Sequence, residues 1–495
     1  MKTKTASRSR GNPTLTVPEE MLRFATGSTH YKTFHDHISD PKSQSLLRNF
    51  LNASLDEVRL HHADSYANLV LKLTDLEDAR HFRQGVLRRE ASGDIEYQKQ
   101  RDHAAHTLHN YLLGWYIYEK NDVLRDELWR AMDLRFPPIK THGSYHQAKR
   151  FGDLWPYVSL LHDVGYLFEG GLEALRVGSH SDRVQRGAEI AEEYFRNRFW
   201  VETPLAAATE RDRVRHWTGI TEPVFAPYTV TAVGDSLRSL GNLTTLWGCV
   251  RAELKTRQME TKQIADVDFK GQGDAFNVWR QHYRVYSPKM EKRVTQMQTA
   301  FYAMIWDGLP GVGVRVLDHG VTGGLLLLLY ATYYFQMHYG IVGKAKDPNC
   351  DPEIRDLENR IADRIKALGV VYNAYWWWTS AVWATAATAL HNIQQQDPPW
   401  PGCQDKIEPL AIKEDPLAYL GILVDVLQEW DRYTVSRTSI FTGKLPLQAK
   451  DVKLWTSKGL IHIDYGDSKR AKKVTESLTT ALKDWKKIVA IMPTS

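Results

Sequence analysis

The chain has 495 residues, 43% of them hydrophobic and 25% charged, a balance that excludes wholesale disorder and fibrous or collagen-like architectures. Its 64 Lys and Arg against 59 Asp and Glu leave a net charge of +5, too small over this length for the whole molecule to be an electrostatic binder of nucleic acid, so any basic function is local. Three well-separated cysteines, Cys249, Cys350 and Cys403, with no CxxC spacing, offer neither a disulfide framework nor a thiolate zinc site and fit a reducing, cytoplasmic setting.

Residues 1–20 open with MKTKTASRSRGNPT, which is basic, rich in Ser and Thr and lacks the apolar stretch of a secretory signal; they read as a disordered tail. From 21 to 110 apolar residues recur at spacings of three and four, which predicts helices, with 21–95 forming an N-terminal helical region. Further on, Arg101-Asp102-His103-Ala104-Ala105-His106 sets two histidines three apart, on one face of a helix. Pro156 is expected to open a helix running through Leu167. Inside that stretch, Leu161-His162-Asp163-Val164 places an imidazole and a carboxylate among apolar neighbours, a pair that is costly to bury without partners.

Between about 170 and 310 the pattern loosens into charged amphipathic pieces and loops, as a helical insertion or lid would. Two uncharged runs come next, 320–337 and 368–390, the second containing Trp376, Trp377 and Trp378 and long enough to span a bilayer. Thr, Tyr and Gly interrupt both, the mean hydropathy of the chain is -0.44, and His319 and His391 stand at their edges, so buried core helices are expected and membrane insertion is not. Asp415 and Pro416 read as an N-cap and a first-turn proline for a helix to about Arg432, with the lone carboxylate of Asp425 in its apolar middle. Residues 453–466 alternate like a hairpin and 468–488 read as a basic helix, together a small terminal module over 436–495. That module holds twelve Lys and Arg against five Asp and Glu, a surplus of +7 that leaves the rest of the chain slightly acidic. A solvated basic face and a surface for an anionic partner are both consistent with it.

Imidazole nitrogens with carboxylate oxygens are the mixed donor set that holds Mn, Fe, Ni or Zn, while a structural zinc would call for thiolates. An aspartate beside a histidine can bridge two cations, and a pair of ions about 3.5–4 Å apart lowers the pKa of a water between them and stabilises charge on a phosphoryl group. Asp163 is the candidate bridge.

The order His106, then His162-Asp163, then Asp425 resembles the signature of the HD superfamily of metal-dependent phosphohydrolases. His103 competes with His106 for the first position; the helix from His106 through Thr107, Leu108 and His109 reads more like that of the family. After the doublet, Val164 and Gly165 fit the family pattern, whereas Tyr166 stands where a lysine is usual, which removes any implied phosphate-binding lysine there. Two-metal members add histidines between doublet and last aspartate, roles that His319 and His391 would fill; Asp318-His319-Gly320 looks like the setting in HD nuclease domains of CRISPR helicases. The resemblance covers about 103–432, with 156 residues from Asp163 to His319, far more than in compact members.

It implies an all-α, HD-type helical core over 96–435 with the 170–310 insertion as a substrate lid. It implies metal ligands His106, His162, Asp163, His319, His391 and Asp425, with His162 and Asp163 central to catalysis. One or two divalent ions (Mn, Fe, Ni or Mg) would then hydrolyse a phosphoester of a phosphorylated small molecule or nucleic acid by metal-activated water. Two alternatives stay open: an oxygenase resembling myo-inositol oxygenase, which uses such a ligand frame for two irons, and a non-catalytic scaffold or sensor whose basic C-terminus binds an anionic partner.

Overall fold

The computed structural model describes residues 15–35, 40–74, 76–91, 103–136, 144–167, 243–269, 275–306, 318–341, 374–392, 407–432 and 446–492. Over these the protein is 75% helical and 6% strand, so the all-α expectation holds for the body of the chain, with one small four-stranded sheet beside it.

Of the tail expected over 1–20, residues 15–20 are structured. Residues 1–14 lie outside the described residues, but Leu15–Thr16 form strand β1 and helix α1 (Val17–Gly27) begins at once. Pro18 suits its first turn, and the Glu19 carboxylate accepts the Thr16 backbone N–H at 2.8 Å. Helices α2 (Thr29–Phe34), α3 (Pro41–Asn52), α4 (Asp56–Leu73) and α5 (Arg80–Ala91) make the N-terminal region, and α1, α2, α4 and α5 all pack on α6 (His103–Lys120). Every residue of α6 from His103 to Tyr118 is buried, so it is the central helix, and its polar side chains must find partners inside the protein.

Helices α7 (Asp122–Arg135) and α8 (Ser144–Ser159) pack on one another and on α6. Pro156 does not open a helix: it sits in the last turn of α8, where it has no N–H for residue 152, and the helix stops at Ser159. The amides of Leu160 and Leu161 both donate to the Pro156 carbonyl, at 2.9 and 3.1 Å, and the chain tightens into a 3-10 turn, His162–Leu167.

Residues 168–242 and 270–274, most of the expected insertion, lie outside the described residues. The rest of that region forms α9 (Leu243–Thr256), α10 (Lys262–Ala265), α11 (Ala275–Tyr286) and α12 (Lys289–Trp306). Of these α11 belongs to the core: Trp279 and Tyr283 are fully buried, Trp279 Nε1 donates to Thr385 Oγ1 at 3.2 Å, and the Tyr283 hydroxyl donates to Asp415. Its charged character comes from one solvent edge at Arg284.

The two uncharged runs become α13 (His319–Ile341) and a helix made of α14 (Ala374–Trp376), a π-turn (Trp377–Ala381) and α15 (Val382–Leu390). They carry no charge because the described side chains between 319 and 332 and between 377 and 391 are buried. A close crossing joins them: a Cβ on Gly324 would stand 2.7 Å from both Ala389 Cβ and the Thr385 carbonyl, so only glycine lets α13 and α15 touch there. No helix among the described residues is long and apolar enough to cross a membrane.

Helix α16 (Pro416–Leu427) begins as expected, with Asp415 Oδ1 accepting the Leu417 and Ala418 amides at 3.0 Å each. It ends at Leu427 and not near Arg432, because Gln428 leaves the helical region and Asp431 takes a left-handed φ of 50°, folding Arg432 back onto the Asp425 carboxylate. The C-terminal module is the hairpin β2 (Lys453–Ser457) and β3 (Leu460–Asp464), helix α17 (Ser468–Ala481) and strand β4 (Val489–Ile491). Lys458 and Gly459 both have positive φ, as a two-residue hairpin turn demands. The basic helix ends at Ala481, and Asp484, at φ 61°, turns the chain toward β4. The sheet order is β1-β2-β3-β4, antiparallel except for β3 with β4, and its inward residues Leu454, Ile461, Ile463 and Val489 are buried. Asn121 donates to the Gly459 carbonyl at 2.8 Å and Tyr465 to the Leu427 carbonyl at 2.7 Å, which fixes the module to the body.

Candidate metal centre

Five elements converge on one buried point. Helix α6 brings His106, the 3-10 turn His162 and Asp163, the start of α13 His319, the end of α15 His391, and α16 Asp425. All but Asp425 are at most 7% exposed. The uncharged runs thus carry their edge histidines to each other: His319 Nε2 and His391 Nε2 are 3.3 Å apart. Asp318 places the first of them by capping α13, its Oδ1 accepting the Val321 amide at 2.8 Å and its Oδ2 the Asn392 side chain.

Three imidazoles are held in one tautomer by oxygens that can only accept. His162 Nδ1 donates to the Ser159 carbonyl at 2.8 Å, His391 Nδ1 to the Thr388 carbonyl at 2.6 Å, and His106 Nδ1 to Gln428 Oε1. Each therefore turns an Nε2 lone pair inward, the arrangement in which an outer acceptor orients a metal-binding histidine.

Two three-residue groups have donor atoms within 4.8 Å of one another: His106 with His162 and Asp163, and Asp163 with His319 and His391. Asp163 is common to both. Its Oδ1 is 3.2 Å from His162 Nε2 and 3.7 Å from His319 Nε2, and its Oδ2 is 3.7 Å from His106 Nε2. Asp425 joins the first group, with Oδ1 3.0 Å from His106 Nε2 and 4.0 Å from His162 Nε2. Donors about 2.1 Å from a shared ion lie roughly 3.0–3.4 Å apart for octahedral to tetrahedral angles. The His319–His391, His106–Asp425 and His162–Asp163 separations fall in that interval. Neither carboxylate oxygen of Asp163 has a hydrogen-bond partner among the described residues, and a cation would satisfy such a buried charge.

Burial holds His106 and His391 down to about 4 and pushes His162 below its ordinary value. Burial opposes the charge of Asp163, but His162, His103, His106 and His319 around it outweigh burial and keep the carboxyl well below the usual carboxylate range. At neutral pH His106, His162 and His391 are therefore neutral imidazoles and Asp163 an ionised carboxylate, each in its metal-binding form.

All six residues expected from sequence meet here. His106 reaches Asp425 and belongs to a three-residue group; His103, one turn earlier, comes no nearer than 3.9 Å to Asp163 Oδ2. Tyr166, in the lysine position, lies flat on His319 with ring centroids 4.0 Å apart and tilts against His103 at 4.4 Å, covering that side of the centre. Sequence reasoning missed Gln428 and Asn110. Asn110 stands four residues after His106 on the same helix face; its Nδ2 is 3.2 Å from His106 Nε2, and its Oδ1 has no hydrogen-bond partner among the described residues. Half a turn of that carboxamide presents an oxygen to the centre. Replacing Gln428 by alanine keeps all six residues but frees the His106 ring and removes the acceptor of Arg432 Nε, which holds Asp425, so metal affinity is expected to fall about 10–100-fold in a competition titration.

Comparison of the chain with protein-family models, with curated proteins and with solved structures finds no match.

Proposed function

We propose that the protein is a metal-dependent phosphohydrolase of the HD type that cleaves a phosphoester of a nucleotide or nucleic acid. The observation that carries this is Asp163, shared between two histidine-rich donor groups in a buried site with no thiolate. The donor chemistry fits two divalent ions: His106, His162, Asp163 and Asp425 would hold one, and Asp163, His319 and His391 the other. When bound, such a pair supplies an activated water and balances charge developing on phosphoryl oxygens.

The chain's own part is positional. Gln428 and the carbonyls of Ser159 and Thr388 hold each imidazole with its lone pair inward, so no ring has to reorient. Arg432 donates to Asp425 Oδ1 at 2.9 Å and fixes that carboxylate. Tyr166 closes one side against water. No protein nucleophile is needed.

The test is metal analysis of protein purified without a histidine tag, with bis(p-nitrophenyl) phosphate and p-nitrophenyl phosphate turnover after reconstitution with Mn, Fe or Ni, in air and without oxygen. About two ions per chain and oxygen-independent hydrolysis are expected. A chain that takes up no metal sinks the proposal, and product formation that stops without oxygen transfers the site to the oxygenase reading.

A further inference from the structure

The sheet has a second face that is less buried than the first among the described residues. Strand alternation turns Leu454, Ile461, Ile463 and Val489 inward, so Thr16, Lys453, Trp455, His462, Asp464 and Ala490 point outward, and none of these is buried. Trp455 and His462 are direct cross-strand partners, their rings stacked with centroids 5.1 Å apart at 6°. A flat pair of this kind on an open sheet face is a ready stacking surface, not core packing.

Charge gathers around it. Residues 436–495 carry a surplus of +7; Lys453, beside Trp455, stands across the strand pair from Asp464, and Lys458 at the hairpin tip is exposed and makes no ion pair among the described residues. Lys472, Lys483 and Lys487, elsewhere in the module, are by contrast each paired with a carboxylate. A second basic piece is attached at the same place. Residues 1–14 hold Lys2, Lys4, Arg8 and Arg10 with no acidic residue, and they lead into β1, where Leu15 pairs with Leu454 next to Trp455.

We propose that the outer face of this sheet binds single-stranded nucleic acid, with Trp455 and His462 stacking on a base and Lys453 and Lys458 meeting the flanking phosphates. Single strands are the class that offers unstacked base faces spaced by anionic charge, and aromatic platforms in basic surroundings are how proteins take them without reading sequence. An acidic membrane is disfavoured because the exposed large apolar side chains, Leu55, Val58, Val123 and Leu134, belong to the helical body and not to this face.

The inference stands apart from the metal centre. Its test is fluorescence anisotropy of labelled oligo-dT and oligo-rU of about 20 nucleotides with the full-length protein, between about 50 and 200 mM salt. Saturable, salt-sensitive binding is expected. Trp455→Ala should weaken it about tenfold, with Trp455→Phe recovering most of the loss. Lys453→Glu with Lys458→Glu should weaken it similarly and flatten the salt slope. A His162→Ala, Asp163→Ala double variant should bind as the parent does, so loss of the hydrolase reading leaves this one intact. The proposal is overturned if single strands do not bind at about 50 mM salt, the most favourable point of the series. It is equally overturned if duplex DNA or phosphatidylserine vesicles bind while single strands do not, or if Trp455→Ala with parental thermal stability binds unchanged.

Discussion

Asp163→Asn is expected to abolish metal binding at both positions and to lower phosphoester hydrolysis by at least about a thousandfold. The magnitude comes from the contribution of the ions: several kcal/mol of charge stabilisation, and about 4 kcal/mol is three decades of rate. The asparagine keeps the shape of the aspartate but removes its charge and one of the two oxygens by which it reaches both groups, so a single change acts on two sites. Stability provides the decisive control. In the parent, saturating metal should raise the melting temperature, since about hundredfold excess over the dissociation constant is worth about 2.7 kcal/mol; in Asp163→Asn the melting temperature should not respond to metal or to chelator. If Asp163 were instead a buried partner for the surrounding imidazoles, removing its charge would cost about 3–5 kcal/mol whether or not metal is present. A variant destabilised by that amount, in a parent that is indifferent to chelator, would refute the metal assignment.

The features legible in the sequence are those set by local chemistry. Asp415 with Pro416 could be read as a helix start because an N-cap acts on amides two and three residues away, and the hairpin over 453–466 because alternation and a Lys-Gly turn are contained in fourteen residues. The candidate ligand histidines were visible because an imidazole at the edge of an uncharged run has to be accounted for in any folded state. What stayed hidden depends on contacts distant in sequence. Pairing of β1 with β2 joins residues 15 and 454, and nothing near Leu15 announces a partner 439 residues on. Gln428 and Asn110 look like ordinary polar residues until tertiary packing sets them against His106. The loosened, charged pattern over about 170–310 suggested an insertion or lid, while Trp279 and Tyr283, the residues that place α11 in the core, are partnered by Thr385 and Asp415 more than a hundred positions away. Pro156 misled for a different reason: a proline near a helix end is compatible with its first turn or its last, and only the 3-10 turn after it decides.

Gly165→Ala is expected to cost about 3 kcal/mol and to leave one ion where two are proposed for the parent. A Cβ on this residue would lie 1.8 Å from the His319 carbonyl oxygen and 2.7 Å from the Gly323 amide nitrogen. Both are backbone atoms of α13, which no rotamer change can move aside, so the 3-10 turn and the helix must separate by roughly 1.5 Å to reach ordinary contact distance. That displacement acts on one half of the centre. His319 rides on the first residue of α13 and loses its place 3.3 Å from His391 and 3.7 Å from Asp163, whereas His106, His162, Asp163 and Asp425 come from α6, the turn and α16 and keep their mutual geometry. Metal analysis should accordingly fall from about two ions per chain to about one, with the survivor bound by the His106 group. Gly27→Ala is the matched control: its Cβ meets nothing within 4 Å, and both metal content and stability should stay at parental values or rise slightly. Two ions and an unchanged melting temperature in Gly165→Ala would mean that the doublet and α13 are not in backbone contact; one ion with reduced stability would show that this glycine sets the spacing of the second half of the centre.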